Sequence, residues 1–483
     1  MGRVLELYIM SQNTRYITTT LPYVNASPHM GHALEFVQAD TLARYWRLLG
    51  YEVFFNTGVD EHGQKIARKA DEAGMDRQAY VDKYAAEFDN LRAALNLSYD
   101  SFARTTDKAH IAAAQHIWKL CDHKGDIYKK KYKGLYCVGC EAFKTDSDLI
   151  DGKCPDHQVA PEEVEEENYF FKLSKYQTYL EEYLSKEGVI TPEFRRQEAL
   201  TFVRNGLEDM SISREISRMD WGVPVPGDGE HVMYVWFDAL TNYISCLGWP
   251  DDAQGNFQKF WENTHTLQLA GKDQIRFQSL LWQAMLQSAD LPATDQIFYH
   301  GFINSDGKKM SKSLGNVIDP YELVARYGTD STRYIMLRHV HPTNDSDLTW
   351  ERMDEWYTAN LVNGLGNLTA RIMKMCETHL EPGEFDLVDP TDVDAPYLLD
   401  FQNAMDHIWS KIQELDEIIA ETEPFKLIKT DELTAKNILV NLRERLIQIG
   451  QLLHPFMPET STIICEAVKA NKKPANIFAR LEK

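Results

Sequence analysis

Residues 16–56, YITTTLPYVNASPHMGHALEFVQADTLARYWRLLGYEVFFN, decide the fold of this chain. Residues 16–21 are rich in threonine and aromatic side chains, which predicts a short strand. A loop of prolines and polar residues follows, and apolar residues then recur at helical spacing over 31–49. Gly50 is a natural helix stop, and 51–56 predicts a second strand. These elements form a βαβ unit, which predicts a parallel sheet that binds ligands at the carboxyl ends of its strands.

The pattern of alternating strands and helices is interrupted and then resumes. Residues 126–231 are turn-rich and hold a cysteine cluster, which indicates an insertion. Beyond it we predict a strand over 231–237, a helix over 275–288 and a strand over 297–303. From about residue 357 the sequence is nearly all amphipathic helix. The predicted fold class is α/β: a doubly wound, parallel-sheet (Rossmann-like) domain, split by an insertion and followed by an α-helical bundle.

Composition limits the class of protein. The chain of 483 residues is long enough for about three domains. Its net charge of -22 argues against non-specific nucleic-acid binding over the whole surface, but not against local basic patches. The lysines at 129, 130, 131 and 133 form either such a patch or a solvated charged loop. No apolar run is long enough to span a membrane, and residues 1–10 lack the features of a signal peptide. Seven cysteines in so long a chain fit a reducing cytoplasm.

The first chemical motif is PYVNASPHMGH, residues 22–32. His29 and His32 flank Gly31 where the predicted strand gives way to the helix. The glycine lets a ligand approach the backbone, and a helix N-terminus favours a phosphate group. Histidines there can donate to phosphate oxygens as charge builds in a transition state. Alone, the pattern is equally compatible with a surface loop at a helix start.

The second motif is KMSKS, residues 309–313, followed by Leu-Gly-Asn. Lys309, Ser311 and Lys312 on a glycine-flanked loop suit a mobile clamp on a polyphosphate. Alone, the run could be an ordinary charged turn. Because both motifs lie at strand ends of one predicted α/β sheet, in this order, they favour a nucleotide site.

The third motif has the spacing of a structural zinc site. Cys137 and Cys140 form one Cys-x-x-Cys pair, and Cys154 and His157 form a Cys-x-x-His pair thirteen residues later. Two such knuckles supply four nitrogen and sulfur ligands for a closed tetrahedral Zn²⁺ site. The alternative is a set of unrelated cysteines.

The two phosphate-binding motifs resemble the paired signatures of class I aminoacyl-tRNA synthetases. The surrounding runs TLPYVNASPHMGH, GVDEHG (58–63), YVWFDALTNY (234–243) and GKD (271–273) are similar to the methionyl-tRNA synthetase family. The resemblance covers nearly the whole chain after residue 15. It implies a ligase that activates L-methionine with ATP and Mg²⁺, giving methionyl-adenylate and pyrophosphate. The ligase then transfers methionine to the 3′ end of tRNA(Met) for protein synthesis.

The resemblance also implies roles for particular residues. His29 and His32 would stabilise developing charge, and Lys309 and Lys312 would hold the leaving pyrophosphate. Gly31 and Ser311 complete the expected ATP site, and Asp60 would bind the methionine ammonium group. Side chains that would form the wall of the methionine pocket are Leu21, Tyr23, Trp236, Ala239 and Tyr243. Arg214 matches a family arginine near the site. For any one aromatic, plain core packing is the alternative.

The sequence departs from the family at two positions. A histidine usual in the helix after 271–273 is Gln278 here, and a second one before the glycine is Gln268. We predict that Gln278 lines the methionine pocket and hydrogen-bonds Tyr23 or a bound water. The alternatives are that it packs elsewhere or signals a changed substrate.

The helical region carries a candidate anticodon-binding surface. Asn363, Asn367 and Arg371 fall at helical spacing on one face, and Phe425 stands where the family has a tryptophan. Asparagine and arginine suit base edges, and an aromatic suits stacking on an unpaired base. Without the resemblance, an ordinary helix-bundle surface would be the better interpretation.

Together these observations predict the domain organisation. We expect an N-terminal extension (1–15), a catalytic domain in two halves (16–125 and 232–325), a zinc-bearing connective insertion (126–231), a stem-contact linker (326–359) and an anticodon-binding domain (360–483). We expect a cytoplasmic protein. Because the chain ends soon after that bundle without a further RNA-binding barrel, we also expect a monomer. Two rivals remain: a related synthetase for another apolar amino acid, and a catalytically silent relative that only binds RNA.

Overall fold

The computed structural model describes residues 13–137, 142–144, 148–155, 158–305, 307–310, 316–383 and 399–481, with the backbone alone at 132, 142, 143 and 309. Within these ranges the chain divides into two compact units. The first unit takes its residues from 1–27, 53–90 and 99–299, and the second from 28–52, 91–98 and 300–483.

The first unit is built on a six-stranded sheet. Its strands, in spatial order, are β3 (Ser101–Arg104), β2 (Glu52–Val59), β1 (Thr14–Thr18), β11 (His265–Gly271), β12 (Gln296–His300) and β7 (Ile190–Thr191). The pairs β2/β3, β1/β11 and β12/β7 are parallel, and Thr18 lies opposite Gln268. The predicted parallel sheet is therefore confirmed.

The centre of this sheet is a topological switch point. From β1 the chain proceeds to β2 and β3 on one side, and from β11 it proceeds to β12 on the other. In doubly wound sheets, ligands bind outside the carboxyl ends of the two strands that meet at this point. These ends lead into residues 19–24 after β1 and 272–278 after β11.

A second sheet holds the segment that the sequence marks as an insertion. It contains β5 (Ala142–Lys144), β4 (Ile127–Cys137), β6 (Glu162–Phe171) and β8 (Met210–Ser211), and β4 and β6 form a long antiparallel ribbon. The lysine cluster at 129–133 lies in β4 rather than in a loop. Lys133 pairs with Glu163 at 2.6 Å and Lys129 with Asp228 at 3.0 Å, so acidic partners offset part of this positive charge.

Helices and short strands complete the first unit. The helices are α2 (Gln64–Glu72), α3 (Arg77–Asp89), α5 (Lys108–His123), α6 (Gln177–Leu184), α7 (Glu193–Arg204), α8 (Val235–Ala239), α9 (Asn242–Ser245) and α10 (Trp282–Ser288). Short 3-10 or π-helical segments span Leu173–Tyr176, Gln258–Glu262, Lys272–Gln274 and Arg276–Leu281. A two-stranded sheet pairs β9 (Ser213–Glu215) with β10 (His231–Met233). The strand predicted over 231–237 is thus wrong beyond Met233, because the chain turns into α8 at Tyr234.

The second unit is mainly helical. Its helices are α1 (Met30–Leu48), α4 (Leu91–Ala94), α11 (Pro320–Tyr327), α12 (Thr329–Arg338), α13 (Trp350–Trp356), α14 (Asn367–His379), α15 (Phe401–Thr422), α16 (Pro424–Leu427), α17 (Glu432–Leu452) and α18 (Pro458–Lys469), with a π-helical stretch at Tyr357–Gly366. A small sheet contains β13 (Ile303–Ser305), β14 (Lys308–Lys309) and β15 (Ser346–Leu348).

A buried ion pair joins α1 to the C-terminal helices of the second unit. Arg333 and Asp40 are both 0% exposed, and their charged atoms lie 2.7 Å apart. Arg333 also donates to the carbonyl oxygens of Phe456 and Pro455. Burial opposes ionisation of Asp40, but Arg333 and Arg44 outweigh it and hold the pKa of this carboxyl below its usual value.

The helices in the described ranges are all too short or too polar to cross a lipid bilayer.

Candidate active site

The first motif forms the N-terminus of α1, in the second unit. His29 is the N-cap, and its ring Nδ1 accepts from the backbone N–H of Gly31 at 3.1 Å. In return, the backbone N–H of His29 donates to Nδ1 of His32 at 3.3 Å. The two rings stack at 3.7 Å between centroids. The motif therefore forms a reciprocal capping box in which histidines take the positions usual for serine and glutamate.

The capping box sets the proton positions on both rings. An Nδ1 atom that accepts a backbone N–H carries no proton, so each neutral ring bears its proton on Nε2. Both histidines are then oriented as Nε2–H donors at a helix N-terminus, where anions bind. A Cβ at residue 31 would lie 2.9 Å from Cε1 of His29, so a larger residue there would displace the His29 ring.

The second motif connects to this helix start through the backbone. In the described part of KMSKS, the Met310 sulfur accepts from the N–H of Ile318 at 3.5 Å. The carbonyl of Ile318 in turn accepts from the N–H of Met30 at 3.0 Å. Lys309 ends the β13–β14 hairpin, with only its backbone described, while Ser311 and Lys312 lie outside the described residues.

The side chains predicted to bind methionine lie in the first unit, at the switch point. Tyr23 forms a parallel β-bridge with Asp60, and its ring meets Trp236 edge-on at 6.2 Å. The Trp236 ring stacks on the Phe277 ring, with 4.3 Å between centroids, and Phe277 directly precedes Gln278 in the sequence. Leu21 precedes this bridge, while Ala239 lies on α8 with Trp236, and both are buried. The structure therefore brings an acidic side chain and an aromatic wall into one contiguous arrangement.

Gln278 closes this arrangement from the π-helical segment after β11. It is 1% exposed, and its Oε1 accepts from the hydroxyl of Tyr243 at 3.0 Å. Its tyrosine partner is thus Tyr243, where we expected Tyr23 or water. The amide Nε2 of Gln278 is buried and has no hydrogen-bond partner among the described residues. A buried amide N–H is costly to leave unpaired, so this atom is suited to a bound acceptor.

Gln268, the second departure from the family pattern, lies behind the pocket. Its Oε1 accepts from the hydroxyl of Thr294 at 3.1 Å. Thr294 is also held by Gln283, whose Nε2 donates to the backbone carbonyl of Gln278 at 3.1 Å. Three glutamines and a threonine therefore connect β11 to the segment that carries Gln278.

Sequence reasoning missed a buried group beside the pocket. Asp238, on α8, is 0% exposed and accepts from Nδ1 of His62 and Nε2 of His110, each at 2.7 Å. Burial opposes ionisation of Asp238, but the two histidines outweigh it and hold the pKa of the carboxyl below its usual value. His62 and Asp238 fall inside two of the motif runs, but 176 positions separate them, so no local pattern reveals the contact.

The Arg214 side chain lies near the start of α8. Its guanidinium lies between the rings of Tyr136 and Tyr234, at 5.1 and 4.8 Å from their centroids. It also donates to Ser211 and to the carbonyl of Ser213. These contacts connect the ribbon that ends at Cys137 to the start of α8.

Half of the expected zinc ligands can be placed. Cys137 ends β4 and Cys154 follows a tight turn closed between Ile150 and Lys153, and both cysteines are buried. The backbone N–H of Cys154 donates to the carbonyl of Val159, and its carbonyl accepts from the N–H of Gln158. Cys140 and His157 lie outside the described residues, and within the described ranges no three potential ligands cluster.

The candidate anticodon residues are all exposed in the second unit. Asn363 lies in the π-helical stretch, whereas Asn367 and Arg371 lie in α14. Arg371 pairs with Asp416 at 2.9 Å. Phe425 is 47% exposed at the start of α16.

Comparisons with known proteins identify the family of this chain. The family model described as tRNA synthetases class I (M) matches residues 15–161 and 157–373. A methionine–tRNA ligase of Clostridium acetobutylicum is 42% identical over 92% of this chain and 72% of its own length. Another, from Brucella suis, is 40% identical over 96% of this chain and 94% of its own length.

Solved structures give the same result. Methionyl-tRNA synthetase of Mycobacterium tuberculosis in complex with methionyl-adenylate superposes with a TM-score of 0.86 at 37% identity, covering 94% of this chain and 93% of that one. Its apo form gives a TM-score of 0.81 at 32% identity, covering 98% and 99%. The chain belongs to the methionine–tRNA ligases, of the class I aminoacyl-tRNA synthetase family.

Proposed function

We propose that this chain activates L-methionine with ATP and then transfers it to tRNA(Met), with the residue roles that follow. The observation that carries the proposal is the contiguous arrangement from Asp60 through Tyr23 and Trp236 to the Tyr243–Gln278 pair. It has an acidic side chain at one end and buried aromatic groups at the other, at the switch point of the sheet. These features match an amino acid with an ammonium group and an apolar side chain.

Asp60 binds the ammonium group of methionine. Its carboxylate is 1% exposed and lies 3.4 Å from the N–H of His62 and 3.5 Å from the Thr105 hydroxyl. Opposite charges attract strongly where water is excluded, so this buried carboxylate suits the ammonium group of the substrate. The backbone of Asp60 is fixed on both sides by Pro22 and Val24, so the side chain starts from a set position.

The aromatic wall binds the thioether. Sulfur makes favourable contacts with the edges and faces of aromatic rings and is only a weak acceptor. Tyr23, Trp236 and Tyr243 provide those rings, with Leu21 and Ala239 as the aliphatic contacts. Gln278 adds one amide donor that a weak acceptor can meet.

ATP binds at the start of α1 and at the KMSKS loop. His29 and His32 donate Nε2–H groups to phosphate oxygens, and Gly31 allows the phosphates close to the backbone. Lys309, Ser311 and Lys312 bind the β- and γ-phosphates. The Mg²⁺ that accompanies ATP reduces the negative charge on the phosphates.

The first step is an in-line displacement at the α-phosphorus. A carboxylate oxygen of methionine forms a bond to phosphorus, and the bond from phosphorus to the bridging oxygen of the β-phosphate breaks. The electron pair leaves with pyrophosphate, whose added charge is stabilised by Lys309 and Lys312. The protein supplies positioning and fixed donors rather than a covalent group.

In the second step, a hydroxyl oxygen of the terminal ribose of tRNA forms a bond to the adenylate carbonyl carbon. The bond from that carbon to the phosphate oxygen breaks, and AMP leaves as its phosphate takes up the hydroxyl proton. We assign anticodon recognition to Asn363, Asn367, Arg371 and Phe425. Their exposure supports this assignment, because an unpaired base needs accessible edges and a free ring face.

A structural Zn²⁺ bound by Cys137, Cys140, Cys154 and His157 completes the proposal. Burial of Cys137 and Cys154 fits such a site. The metal would fix the end of the ribbon.

ATP–pyrophosphate exchange, measured separately with methionine, leucine, isoleucine and valine, tests this function. We expect methionine to be preferred by about 10- to 200-fold, the discrimination that apolar pockets achieve for similar side chains. Exchange with a different amino acid would support the rival synthetase. Absence of exchange with all of them, while tRNA still binds, would support the silent RNA-binding relative.

The assigned lysine is tested in the same assay. Lys312→Ala should lower the rate of adenylate formation much more than methionine affinity, because the pyrophosphate charge develops only in the transition state. Lys308→Ala is the matched control, since Lys308 is exposed and precedes the motif. Loss of methionine binding with an unchanged chemical rate would contradict the role of Lys312.

A further inference from the structure

We infer that His62, Asp238 and His110 act together as positioning residues that hold the walls of the methionine pocket at a fixed separation. This inference rests on the proposed function and adds to it the groups that set methionine affinity. We refer to these three residues as the clamp.

The first half of the clamp joins the ammonium site to the aromatic wall. His62 is two residues beyond Asp60, in the turn that follows β2. Asp238 lies on α8 between Trp236 and Ala239. The 2.7 Å contact from Nδ1 of His62 to Asp238 therefore connects the segment that binds the substrate ammonium group to the segment that binds its side chain.

The second half extends the connection to the tyrosine that contacts Gln278. Nε2 of His110 meets the other oxygen of Asp238 at 2.7 Å, and its Nδ1 meets the hydroxyl of Ser245 at 3.0 Å. Ser245 is on α9, two residues beyond Tyr243. One buried carboxylate thus links three segments that carry Asp60, the aromatic wall and Tyr243.

The proton arrangement makes these contacts directional. An ionised carboxylate only accepts hydrogen bonds, so Nδ1 of His62 and Nε2 of His110 both carry protons. The Nδ1 of His110 is hydrogen-bonded to the Ser245 hydroxyl at 3.0 Å. Rotation of either ring would break a hydrogen bond to a buried charge.

The helix α8 is so short that side-chain contacts are needed to hold it in place. Helix α8 has only five residues, too few to be stable alone. Its backbone is held at the start by Tyr234, which bonds to Ile212 and accepts from Phe237. The completely buried Asp238 side chain attaches it to the rest of the unit through two hydrogen bonds.

Trp221 holds the other side of the His62 turn. Its indole N–H donates to the carbonyl of Glu61 at 2.5 Å, and its ring meets His62 edge-on at 5.8 Å. Glu61 is itself buried and bound by Arg104. The turn is therefore fixed from behind, and the clamp determines where α8 lies relative to it.

The test compares the Michaelis constants for methionine and for ATP in pyrophosphate exchange. His62→Ala removes the donor, and we expect it to raise the KM for methionine about tenfold or more, as loss of a hydrogen bond to a charged group does. The KM for ATP should stay within about threefold, since the contacts described for His62, to Asp238 and Trp221, involve no residue assigned to ATP. His62→Asn, whose amide nitrogen can replace Nδ1, should restore most of the methionine affinity.

Two further variants separate positioning from plain stabilisation. Asp238→Asn keeps the shape but not the charge, and it should also raise the KM for methionine selectively. Asp126→Asn is the matched control, since Asp126 is an equally buried carboxylate of the same unit, bound by Lys175 and Ser288 away from the pocket. The control should lower the melting temperature without a selective change in methionine KM.

The results that would overturn the inference are specific. Equal increases in both Michaelis constants, or a loss of melting temperature alone in Asp238→Asn, would show that the clamp is only structural. If His62→Ala does not fold, Asp238→Asn and His62→Asn give the same comparison. If the unmodified protein prefers another amino acid, the proposed function fails, while the clamp is still judged by the KM for that amino acid.

Discussion

Replacement of Gly31 by alanine tests whether the capping box positions His29 for catalysis. The new Cβ would lie 2.9 Å from Cε1 of the His29 ring. Carbon atoms in contact prefer about 3.5–4.0 Å, so the ring must move by roughly 0.6–1.1 Å. This movement breaks the bond from the Gly31 N–H to Nδ1 of His29, which is the N-cap of α1.

Two opposing effects on stability should nearly cancel. Loss of an N-cap costs about 1 kcal/mol, and replacing glycine by alanine within a helix stabilises it by roughly 0.5–1 kcal/mol. The effect on the reaction has no such compensation. A displacement of about 1 Å in a positioned group can lower the rate by roughly 100-fold, so we expect adenylate formation to fall about 10- to 100-fold.

The assay is single-turnover formation of methionyl-adenylate, with the melting temperature measured in parallel. Gly229→Ala is the control, because a Cβ at Gly229 meets nothing within 4 Å. An unchanged rate of adenylate formation in Gly31→Ala would refute the positioning role of the capping box. A large fall in melting temperature would refute the argument that the two stability effects cancel.

Four other expectations follow from the site and its surroundings. Gln278→Ala should raise the KM for methionine by roughly two- to twelvefold in pyrophosphate exchange, since it removes one neutral hydrogen bond; an unchanged KM would mean that the side chain only fills space. Metal analysis should find one zinc per chain, lost in Cys154→Ser, and protein purified without chelator that holds none would exclude the site. Phe425→Ala should cost about 1–3 kcal/mol in tRNA affinity, measured by filter binding, while pyrophosphate exchange is retained; equal losses in both would indicate a core residue. Arg333→Met should lower the free energy of unfolding by about 3–5 kcal/mol in denaturant titrations near neutral pH. Because the folded pKa of Asp40 is depressed, that stabilisation is present above the unfolded pKa of about 3.9 and is lost as the pH falls through the folded value; a loss that does not shrink in acid would contradict the assignment.

The local periodicity of the sequence predicts the core elements well. The βαβ unit of β1, α1 and β2 is confirmed, because strand-forming composition, helical spacing of apolar residues and the glycine stop act within a few residues of each other. The strand expected over 231–237 fails beyond Met233. Residues 232–237 are apolar or aromatic throughout, and the periodicity of such a run does not distinguish a strand from a buried helix.

The sequence does not reveal interactions between segments that are far apart along the chain. The lysines of β4 show no apolar alternation, so their strand becomes visible only through pairing with the acidic run of β6. The contact of Gln278 with Tyr243 depends on the π-helical segment Arg276–Leu281, which shifts side-chain directions relative to an α-helix. The clamp depends on a buried charge on α8 whose two partners come from the turn after β2 and from α5.

The pairing of β7 with β12 has a consequence for truncation and redesign of this chain. Ile190 and Thr191 fall inside the segment 126–231, yet they cover the outer edge of β12, opposite Ile297 and Phe298. Excision of that whole segment would leave a buried apolar strand with exposed backbone N–H and C=O groups, which is a template for aggregation between molecules. A shortened enzyme should therefore lose only the β4–β6 ribbon and retain the chain from Leu173 onward, so that the sheet keeps its edge.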